Sequence, residues 1–363
     1  DHKGFDDPFL SKHPHPLSQT ILTYRSVDKL YSTYLAPLAP KDDHKEAGKY
    51  IAYDGLIHTQ FNSKRVITAR LSSDTPNMQN VPKDETRDVI GAPDRKIILS
   101  IDLGQIEYRL IVTISGDEEM TKAVLNDLDV HMFWALRLME VFPNIWVQEK
   151  NDHVCTKKEH PNAKCLCKKC AIKNFRADVK NCWTFPLCFG ASEETVATHL
   201  RLPENHFPKL EKMIKAEFWD RHTGVKSWHE RLMSQYKTKG YVENVFGRRY
   251  YGPMKPSEVI NYPIQGSNGD LMIHRMSELA AMGQTSGDFD LIPFLNVHDE
   301  VDLYIPEDQI NEYVTKVVGV ILNTTGFESW LHVPLIAEAA IGKTWGSMQE
   351  LQTFDSRQFG HVL

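Results

Sequence analysis

The stretch IILSIDLGQIEYR, residues 97–109, decides the fold that this sequence predicts. Its first part, Ile97–Ile101, is a short run that is apolar except for Ser100 and ends on Asp102, the pattern of a buried strand. The period then changes to that of a helix, with apolar residues on one face at Ile106, Leu110 and Ile114. A carboxylate that ends a buried strand just before a helix faces a cleft rather than the core.

A second carboxylate occupies a comparable place far along the chain. Residues 294–297 and 301–305 predict two strands folded back about His298-Asp299-Glu300. If these strands share a sheet with the strand before Asp102, then Asp102 and Asp299 meet at its edge and can hold hard divalent cations such as Mg²⁺. Neighbours on a strand point to opposite faces, which makes Asp299 the ligand and Glu300 an auxiliary. Taken alone, each acidic residue is more readily explained as a solvated surface group, and spacing does not decide the matter.

Composition and charge narrow the class of protein. The 363 residues are 41% hydrophobic and 25% charged, and no run of about 18 apolar residues occurs, which excludes a membrane-spanning protein. The N-terminus has no apolar leader and no Met, so we expect a fragment or processed product. Four cysteines within sixteen residues are too crowded for an ordinary disulfide scaffold and indicate a reducing, cytoplasmic compartment. The formal charge is −6, but residues 155–256 carry 20 Lys+Arg against 10 Asp+Glu. This basic middle suits either a phosphate-contacting surface or a solvated helical face.

Periodicity predicts several other elements. Residues 17–35 and 258–282 follow helical spacing, and residues 55–61 read as a strand. Residues 240–249 predict a ribbon leading into a glycine-containing turn, and the tail from Val333 returns as a strand.

Several motifs, in one consistent order, resemble family A DNA polymerases. Ser100–Arg109 is similar to motif A of that family, and Val297-His298-Asp299-Glu300 to its motif C. The family's palm signature is matched by residues 68–73 followed by 76–82, and its primer-template segment by Asn261-Tyr262-Pro263-Ile264-Gln265-Gly266. The likeness runs from Tyr24-Arg25 through Gly342-Lys343-Thr344-Trp345, and we expect the bacteriophage type.

The resemblance implies a role for each matching residue. Asp102 and Asp299 would bind two Mg²⁺ ions with the Leu103 carbonyl as an extra ligand, and Glu300 would assist catalysis. Glu107 would face the sugar of the incoming nucleotide and leave no room for a 2′-hydroxyl. The full predicted dNTP set is Leu103, Gln105, Glu107, His131, Arg176, Lys180, Phe185 and Phe189. The predicted DNA contacts are Arg70, Asn77, Gln79, Asn261, Gln265 and His298, which would check pair geometry in the degenerate minor groove.

Motif B departs from the family spacing. Arg176 and Lys180 keep the usual interval of one helical turn, but Phe185 follows Lys180 by five residues and Phe189 replaces a tyrosine. Pro186 lies within the same helix. Because proline removes a helical hydrogen bond, one extra residue beside it predicts a π-bulge or kink that restores the two phenylalanines to their usual face.

A cysteine-rich insert, residues 151–172, is the second departure. Four thiols at Cys155, Cys165, Cys167 and Cys170 lie at spacings that suit a structural Zn²⁺ ion, with His153 and His160 nearby. The alternative is a set of free thiols in a loop. Cys182 and Cys188 lie within motif B and are expected to pack rather than bind metal.

The predicted architecture is an α+β right-hand polymerase fold with an antiparallel palm sheet, helical fingers and a partial thumb. We assign residues 1–60 to the end of the thumb, 61–115 and 254–363 to the palm, and 116–253 to the fingers. The implied reaction is two-metal addition of dNTPs to a primer 3′ end on a DNA template, and the implied partners are primer-template DNA and dNTPs. A processivity factor or replisome protein is left open. Two alternatives are a single-subunit RNA polymerase, which Glu107 argues against, and a catalytically silent DNA-binding relative.

Overall fold

A computed structural model describes residues 5–13, 15–38, 49–83, 85–143, 145–146 and 168–359 of the chain. Packing divides the chain into two compact units. The first comprises Asp1–Asp102, Arg275–Val318 and Glu338–Thr353, and the second comprises Leu103–His274, Gly319–Ala337 and Phe354–Leu363. The predicted thumb, palm and fingers boundaries stay a prediction.

The elements confirm a mixed α+β chain with antiparallel strand pairs. The strands are β1 Gln60–Asn62, β2 Ser72–Asp74, β3 Lys96–Leu103, β4 Tyr241–Glu243, β5 Arg249–Tyr251, β6 Leu295–Val297, β7 Glu300–Pro306, β8 Ile336–Gly342 and β9 Gln349–Asp355. The helices are α1 Asp7–Lys12, α2 Pro16–Leu30, α3 Ile106–Ser115, α4 Glu118–Leu125, α5 Val130–Val141, α6 Lys168–Val179, α7 Phe185–Cys188, α8 Glu193–His199, α9 Phe207–Met213, α10 Thr223–Lys239, α11 Pro256–Ser286 and α12 Ile310–Ile321. No helix within the described ranges is both long enough and apolar enough to cross a membrane.

The central sheet has five strands in the order β6-β7-β3-β8-β9. Strand β3 runs antiparallel to β7 over its length, with Lys96 opposite Pro306 and Asp102 opposite Glu300. The first two residues of β3 are half-buried and nearly all of the others are buried, as its apolar composition requires. The register therefore brings the end of β3 beside the start of β7.

One face of this sheet packs on a core within the first unit. The core residues are Met78, Val81, Ile90, Ile98, Leu295, Val297 and Trp345. Phe294 and Tyr304 pack against this core, and their two rings stack on each other with centroids 3.8 Å apart. The guanidinium of Arg87 lies 3.6 Å from the Trp345 ring centroid, and so closes the core with a cation–π contact.

The second unit is mainly helical and has an aromatic core. The ring of Trp134 on α5 lies 5.2 Å from Trp183 and 5.8 Å from Phe218. All three side chains are almost fully buried. This core fixes α5 against the segment that follows α6, which is the segment that carries motif B.

Two sequence predictions about elements differ in outcome. The predicted helix over 17–35 is confirmed, since α2 continues directly into a π-helical turn at Tyr31–Leu35. The predicted strand over 55–61 is wrong for most of its length, because pairing is limited to β1 and an isolated bridge between Ile51 and Ile57. A turn at residues 53–55 with Gly55 at φ 78° interrupts extended structure there.

Candidate active site

A group of carboxylates lies at the edge of the sheet where β3 ends and β7 begins. Asp102 and Glu300 are cross-strand partners and so point to the same face of the sheet. Asp299 lies in the turn just before Glu300, between β6 and β7. Asp102 and Asp299 are half-buried, and Glu300 is 9% exposed. The structure thus brings together, within the first unit, the three carboxylates expected to carry the chemistry.

The electrostatics of Asp102 reflect this crowding. Its pKa is raised to about 7, first by burial and then by the negative charges of Asp299, Glu300 and Glu338. The positive charge of Lys83 opposes this rise. A positive charge placed among these carboxylates would favour the ionised form of Asp102 and would itself be bound favourably. Oxygen donors alone make up the group, which is the chemistry that Mg²⁺ prefers.

The turn that presents Asp299 is held by a side chain that the motifs did not single out. Asn296 Nδ2 donates to the carbonyl oxygens of His298 at 3.2 Å and Glu300 at 2.9 Å. His298 itself is exposed, with φ at 60°, so its backbone is in the left-handed region. Gln79 Nε2 donates to the carbonyl of Asn296 at 3.0 Å, and the backbone amide of Ser73 donates to Gln79 Oε1 at 3.0 Å. Through these hydrogen bonds, Asn296 and Gln79 together hold the turn that carries Asp299.

Three charged residues near the carboxylates were not predicted from the sequence. Glu338 on β8 contributes to the raised pKa of Asp102. Asp302 is fully buried opposite Ser100, on the same sheet face as Glu300. Lys83 Nζ lies 4.0 Å from Glu300 Oε2. A signal for Asp302 did exist, because an acidic residue interrupts an otherwise apolar strand two positions after Glu300.

The motif B helix in the second unit contains the bulge that its spacing predicts. Residues Lys180–Thr184 form a π-helical turn between α6 and α7. Phe185 and Phe189 then stack on each other, with ring centroids 5.9 Å apart and planes 12° from parallel. Lys180 Nζ lies 5.7 Å from the Phe185 ring centroid. The π turn absorbs the extra residue, so Lys180 and the two phenylalanines line up despite the altered spacing, and the predicted bulge is confirmed.

Arg176 is already engaged by a carboxylate. Its Nε donates to Asp129 Oδ2 at 2.6 Å, and Asp129 also caps α5 by accepting from the backbone amide of Met132 at 2.9 Å. Burial alone would raise the pKa of Asp129, but the hydrogen bonds from Arg176 and Met132 outweigh it and lower that pKa. Arg176 is 27% exposed at its side chain, so one of its faces remains open to solvent.

His131, on the first turn of α5, is 1% exposed and sits between Tyr108 and Phe185. Its ring centroid lies 5.8 Å from that of Tyr108 and 6.0 Å from that of Phe185. Burial lowers its pKa to about 4, with the positive charges of Arg176 and Lys180 acting in the same direction. His131 is therefore a neutral imidazole at physiological pH.

The residues after Asp102 form the start of α3. Leu103 is fully buried, and Gln105 is exposed with φ at 54° as the residue that precedes the helix. Glu107 is half-buried in the first turn of α3, where a negative charge is favoured by the helix dipole. Leu103, Gln105 and Glu107, all of the predicted dNTP set, thus lie within the short connection from strand β3 to helix α3.

The predicted DNA contacts lie on different elements of the two units. Asn261 and Gln265 are half-buried on α11, where a Cβ on the neighbouring Gly266 would lie 1.6 Å from the Tyr250 hydroxyl. Only glycine permits that close approach of the helix to β5. In the first unit, Arg70 is half-buried, and Asn77 is exposed and accepts from the Ser73 hydroxyl at 3.1 Å.

The predicted zinc ligands fall outside what the structure describes. Cys155, Cys165 and Cys167 are outside the described residues, and the side chain of Cys170 is also outside them. Cys188 is fully buried and Cys182 half-buried, in keeping with packing roles. Within the described ranges, no three His, Cys, Asp or Glu side chains are placed to hold a metal ion among themselves.

Two curated relatives match most of this chain in sequence. The chain is 30% identical to the thermostable DNA polymerase I of Thermus filiformis over 347 residues, which cover 91% of this chain and 36% of that protein. It is also 30% identical to DNA polymerase I of Lactococcus lactis, over 91% of this chain and 34% of that protein. The chain thus spans about a third of the length of the curated relatives it matches.

A solved structure and a family profile complete the comparison. The polymerase domain of Pol1 from M. smegmatis, solved in complex with DNA primer-template and dNTP, superposes with a TM-score of 0.71 at 25% identity, covering 94% of this chain and 56% of that one. The profile for DNA polymerase family A matches residues 7–154 and 164–347. Because this match covers most of its length, the chain belongs to DNA polymerase family A.

Proposed function

We propose that this chain catalyses template-directed DNA synthesis, adding dNTPs to the 3′ end of a primer. The observation that carries the proposal is the carboxylate group at the end of β3, where the pKa of Asp102 is raised to about 7 by burial and by Asp299, Glu300 and Glu338. The family A relatives are DNA polymerases, and the M. smegmatis domain was solved with primer-template and dNTP.

The carboxylates fit a pair of Mg²⁺ ions. Mg²⁺ is usually held by one or two carboxylates together with water and substrate phosphates, and the end of β3 and the start of β7 offer such carboxylates. Asp102 and Asp299 would be the ligands, with the Leu103 carbonyl as an added oxygen and Glu300 as an auxiliary. When bound, such ions polarise the attacking hydroxyl and neutralise charge on the transferring phosphoryl group.

The second unit would supply the groups that bind the nucleotide. Lys180 and Arg176 would bind the triphosphate, with Arg176 exchanging or sharing its contact with Asp129. Phe185 would stack on the incoming base, and Phe189 would pack beside the templating base. Glu107 would exclude a 2′-hydroxyl, while neutral His131 would act near the triphosphate as a hydrogen-bonding group without adding charge. Gln105 belongs to the same proposed set.

Residues of both units would take part in binding the primer-template DNA. Five residues would contact the primer-template directly, namely Arg70, Asn77, Asn261, Gln265 and His298. Gln79 of the same predicted set would support DNA binding indirectly, because its side chain braces the turn that carries Asp299. A structural Zn²⁺ ion held by Cys155, Cys165, Cys167 and Cys170 stays a prediction, as do a cytoplasmic location, a bacteriophage source and a processivity partner.

Primer extension tests the proposal directly. The intact chain is given a primed DNA template, Mg²⁺ and either dNTPs or rNTPs, beside Asp102→Ala, Glu107→Ala and the control Asp94→Ala, which removes an exposed carboxylate just before β3. We expect extension with dNTPs only, a loss of at least a hundredfold in Asp102→Ala, and new use of rNTPs by Glu107→Ala.

Each alternative has its own result in the same assay. Efficient extension with rNTPs by the unaltered chain would identify an RNA polymerase instead. Primer-template binding without any extension would identify a silent DNA-binding relative. An Asp94→Ala variant as inactive as Asp102→Ala would remove the case for a specific role of Asp102.

A further inference from the structure

A pocket of about 210 Å³ lies within the second unit, among α3, α4, α5 and the residues just before α10. Its floor consists of buried side chains, namely Tyr108, Met120, Trp134 and His222. Its rim carries two large apolar side chains that solvent reaches, Leu128 at 62% and Phe133 at 45% exposure. An apolar pocket with a few polar groups at its base is the usual form of a small-molecule site.

Two polar groups of the floor are suited to a ligand. The Tyr108 hydroxyl is buried and has no hydrogen-bond partner within the described part of the chain. His222 Nδ1 lies 3.1 Å from Asp117 Oδ1, a carboxylate whose pKa burial would raise but whose hydrogen bonds from His222 and Met120 lower. When Nδ1–H donates to this carboxylate, Nε2 is the ring nitrogen left to bind a ligand.

The charged groups at the rim are engaged with one another. Arg221 lies 3.6 Å from Glu119 and 5.3 Å from the Phe133 ring centroid, while Asp129 is held by Arg176. A charged ligand would have to displace one of these contacts. A neutral ligand would not, so the pocket favours a neutral molecule.

We propose that this pocket binds a small neutral aromatic molecule with one hydroxyl or N–H group, of the phenol or indole class. An apolar protein cavity of about 150 Å³ is known to take up benzene, so this volume suits a ring system somewhat larger than benzene. The O–H or N–H of the ligand would donate to His222 Nε2, and the oxygen of a phenol-class ligand would in addition accept from the Tyr108 hydroxyl.

The position of Tyr108 links the pocket to nucleotide selection, and this part rests on the proposed function. Tyr108 follows Glu107 directly on the first turn of α3, and its ring makes an edge contact with His131. A molecule that packs on Tyr108 would shift the placement of Glu107, the residue proposed to exclude ribonucleotides. Occupancy of the pocket should therefore change the preference for dNTPs over rNTPs.

Binding is tested with indole and 4-methylphenol as probes, by saturation-transfer NMR and titration on the full chain without DNA or nucleotide. Ala123→Phe fills the pocket from α4, and Ala281→Phe adds the same ring at an exposed site of α11 outside the lining. We expect saturable binding that Ala123→Phe weakens at least tenfold and Ala281→Phe leaves within about twofold. Phe133→Ala, at an exposed rim position, should weaken binding several-fold and does not depend on tolerance of a larger side chain.

The outcomes separate the pocket from the polymerase proposal. The absence of saturable binding, or binding that neither Ala123→Phe nor Phe133→Ala weakens, would overturn the site. If binding occurs but saturating indole leaves the dNTP-to-rNTP preference of an active enzyme unchanged within twofold, the link to Glu107 is wrong. Binding by a chain that cannot extend a primer would uphold the pocket and refute the proposed function.

Discussion

His131 Nδ1 lies 3.2 Å from the Thr184 hydroxyl, and both side chains are buried. Thr184 is the last residue of the π turn that follows α6, so this contact ties α5 to the bulge in the motif B helix. Because burial lowers the pKa of His131 to about 4, the tie is made by a neutral ring, in which Nδ1 donates to or accepts from the Thr184 hydroxyl according to the tautomer.

The neutral state of His131 predicts a pH dependence of stability. A base whose pKa falls from 6.5 to about 4 on folding stabilises the folded chain above pH 6.5, and that contribution is lost as the pH falls toward 4. Between pH 7 and pH 5 the loss should amount to about 2 kcal/mol in the free energy of unfolding. His131→Asn, which does not titrate, should show a correspondingly shallower decline in urea unfolding at the two pH values. An equal decline in both proteins would contradict a buried neutral His131.

The π turn predicts an unusual tolerance of deletion. Asn181 is exposed within that turn, and removing it would convert the turn into a regular helix while leaving the residues on both sides in phase. The variant should therefore fold, with a thermal midpoint within a few degrees of the parent. Deletion of Ser234 from the regular helix α10 is the matched control, since it would rotate the following turn and break the 2.7 Å bond from the Tyr236 hydroxyl to Gly252. The idea fails if the two deletions are equally damaging by circular dichroism and thermal unfolding.

Lys83 should moderate metal binding by the carboxylate group. Its ammonium opposes the raised pKa of both Asp102 and Asp302, and Lys83 Nζ lies 4.0 Å from Glu300 Oε2. Lys83→Met should increase the stabilisation of the protein by MgCl₂, because more negative charge is then left for the ion to neutralise. Its side chain is 76% exposed, so solvent limits the effect to a few-fold change in apparent affinity. Lys64→Met, at an exposed position of the same unit, is the control for differential scanning measurements with and without Mg²⁺.

Asp302 should be a site where a neutral substitution stabilises the fold. Burial, with the nearby charge of Glu300, raises its pKa well above the usual value, and neither carboxylate oxygen has a well-formed hydrogen bond within the described part of the chain. An acid with a raised pKa on folding gives its full stability only below pH 3.8 and loses it as the pH rises. Asp302→Asn should therefore be more stable than the parent at pH 8, by about 1–3 kcal/mol, and nearly equal to it near pH 4. A variant less stable than the parent at pH 8 would show that the charge of Asp302 is compensated in the protein.

The parts of this structure that local sequence determines were predictable. The apolar run before Asp102, the turn at His298–Asp299 and the bulge after Lys180 each follow from a short-range pattern of burial or spacing. Contacts across long sequence separations were not predictable in this way. The pairing of Arg176 with Asp129 joins residues 47 positions apart, and nothing in the periodicity of either helix selects that partner.

The neighbours of Asp102 show the same limit. Glu338 and Lys83 come near it through strand order and loop packing, which the motifs do not encode. Gln79, expected at DNA, has its amide committed to the backbone of Ser73 and Asn296. Sequence patterns identify which residue types belong to such a site more readily than they identify which of them brace it.

The register of the central sheet also has a consequence for how the chain is made. Strand β3 pairs with β7, which follows it by about two hundred residues, so at roughly 5–20 residues per second β3 leaves the ribosome some ten to forty seconds before its partner exists. During that interval Ile97–Ile101 is an unpaired apolar strand, while the helices between β3 and β7 can already form from local contacts. The nascent chain therefore carries an aggregation-prone edge until β7 has been synthesised, and we expect its yield in cells to depend on chaperones that bind extended apolar segments.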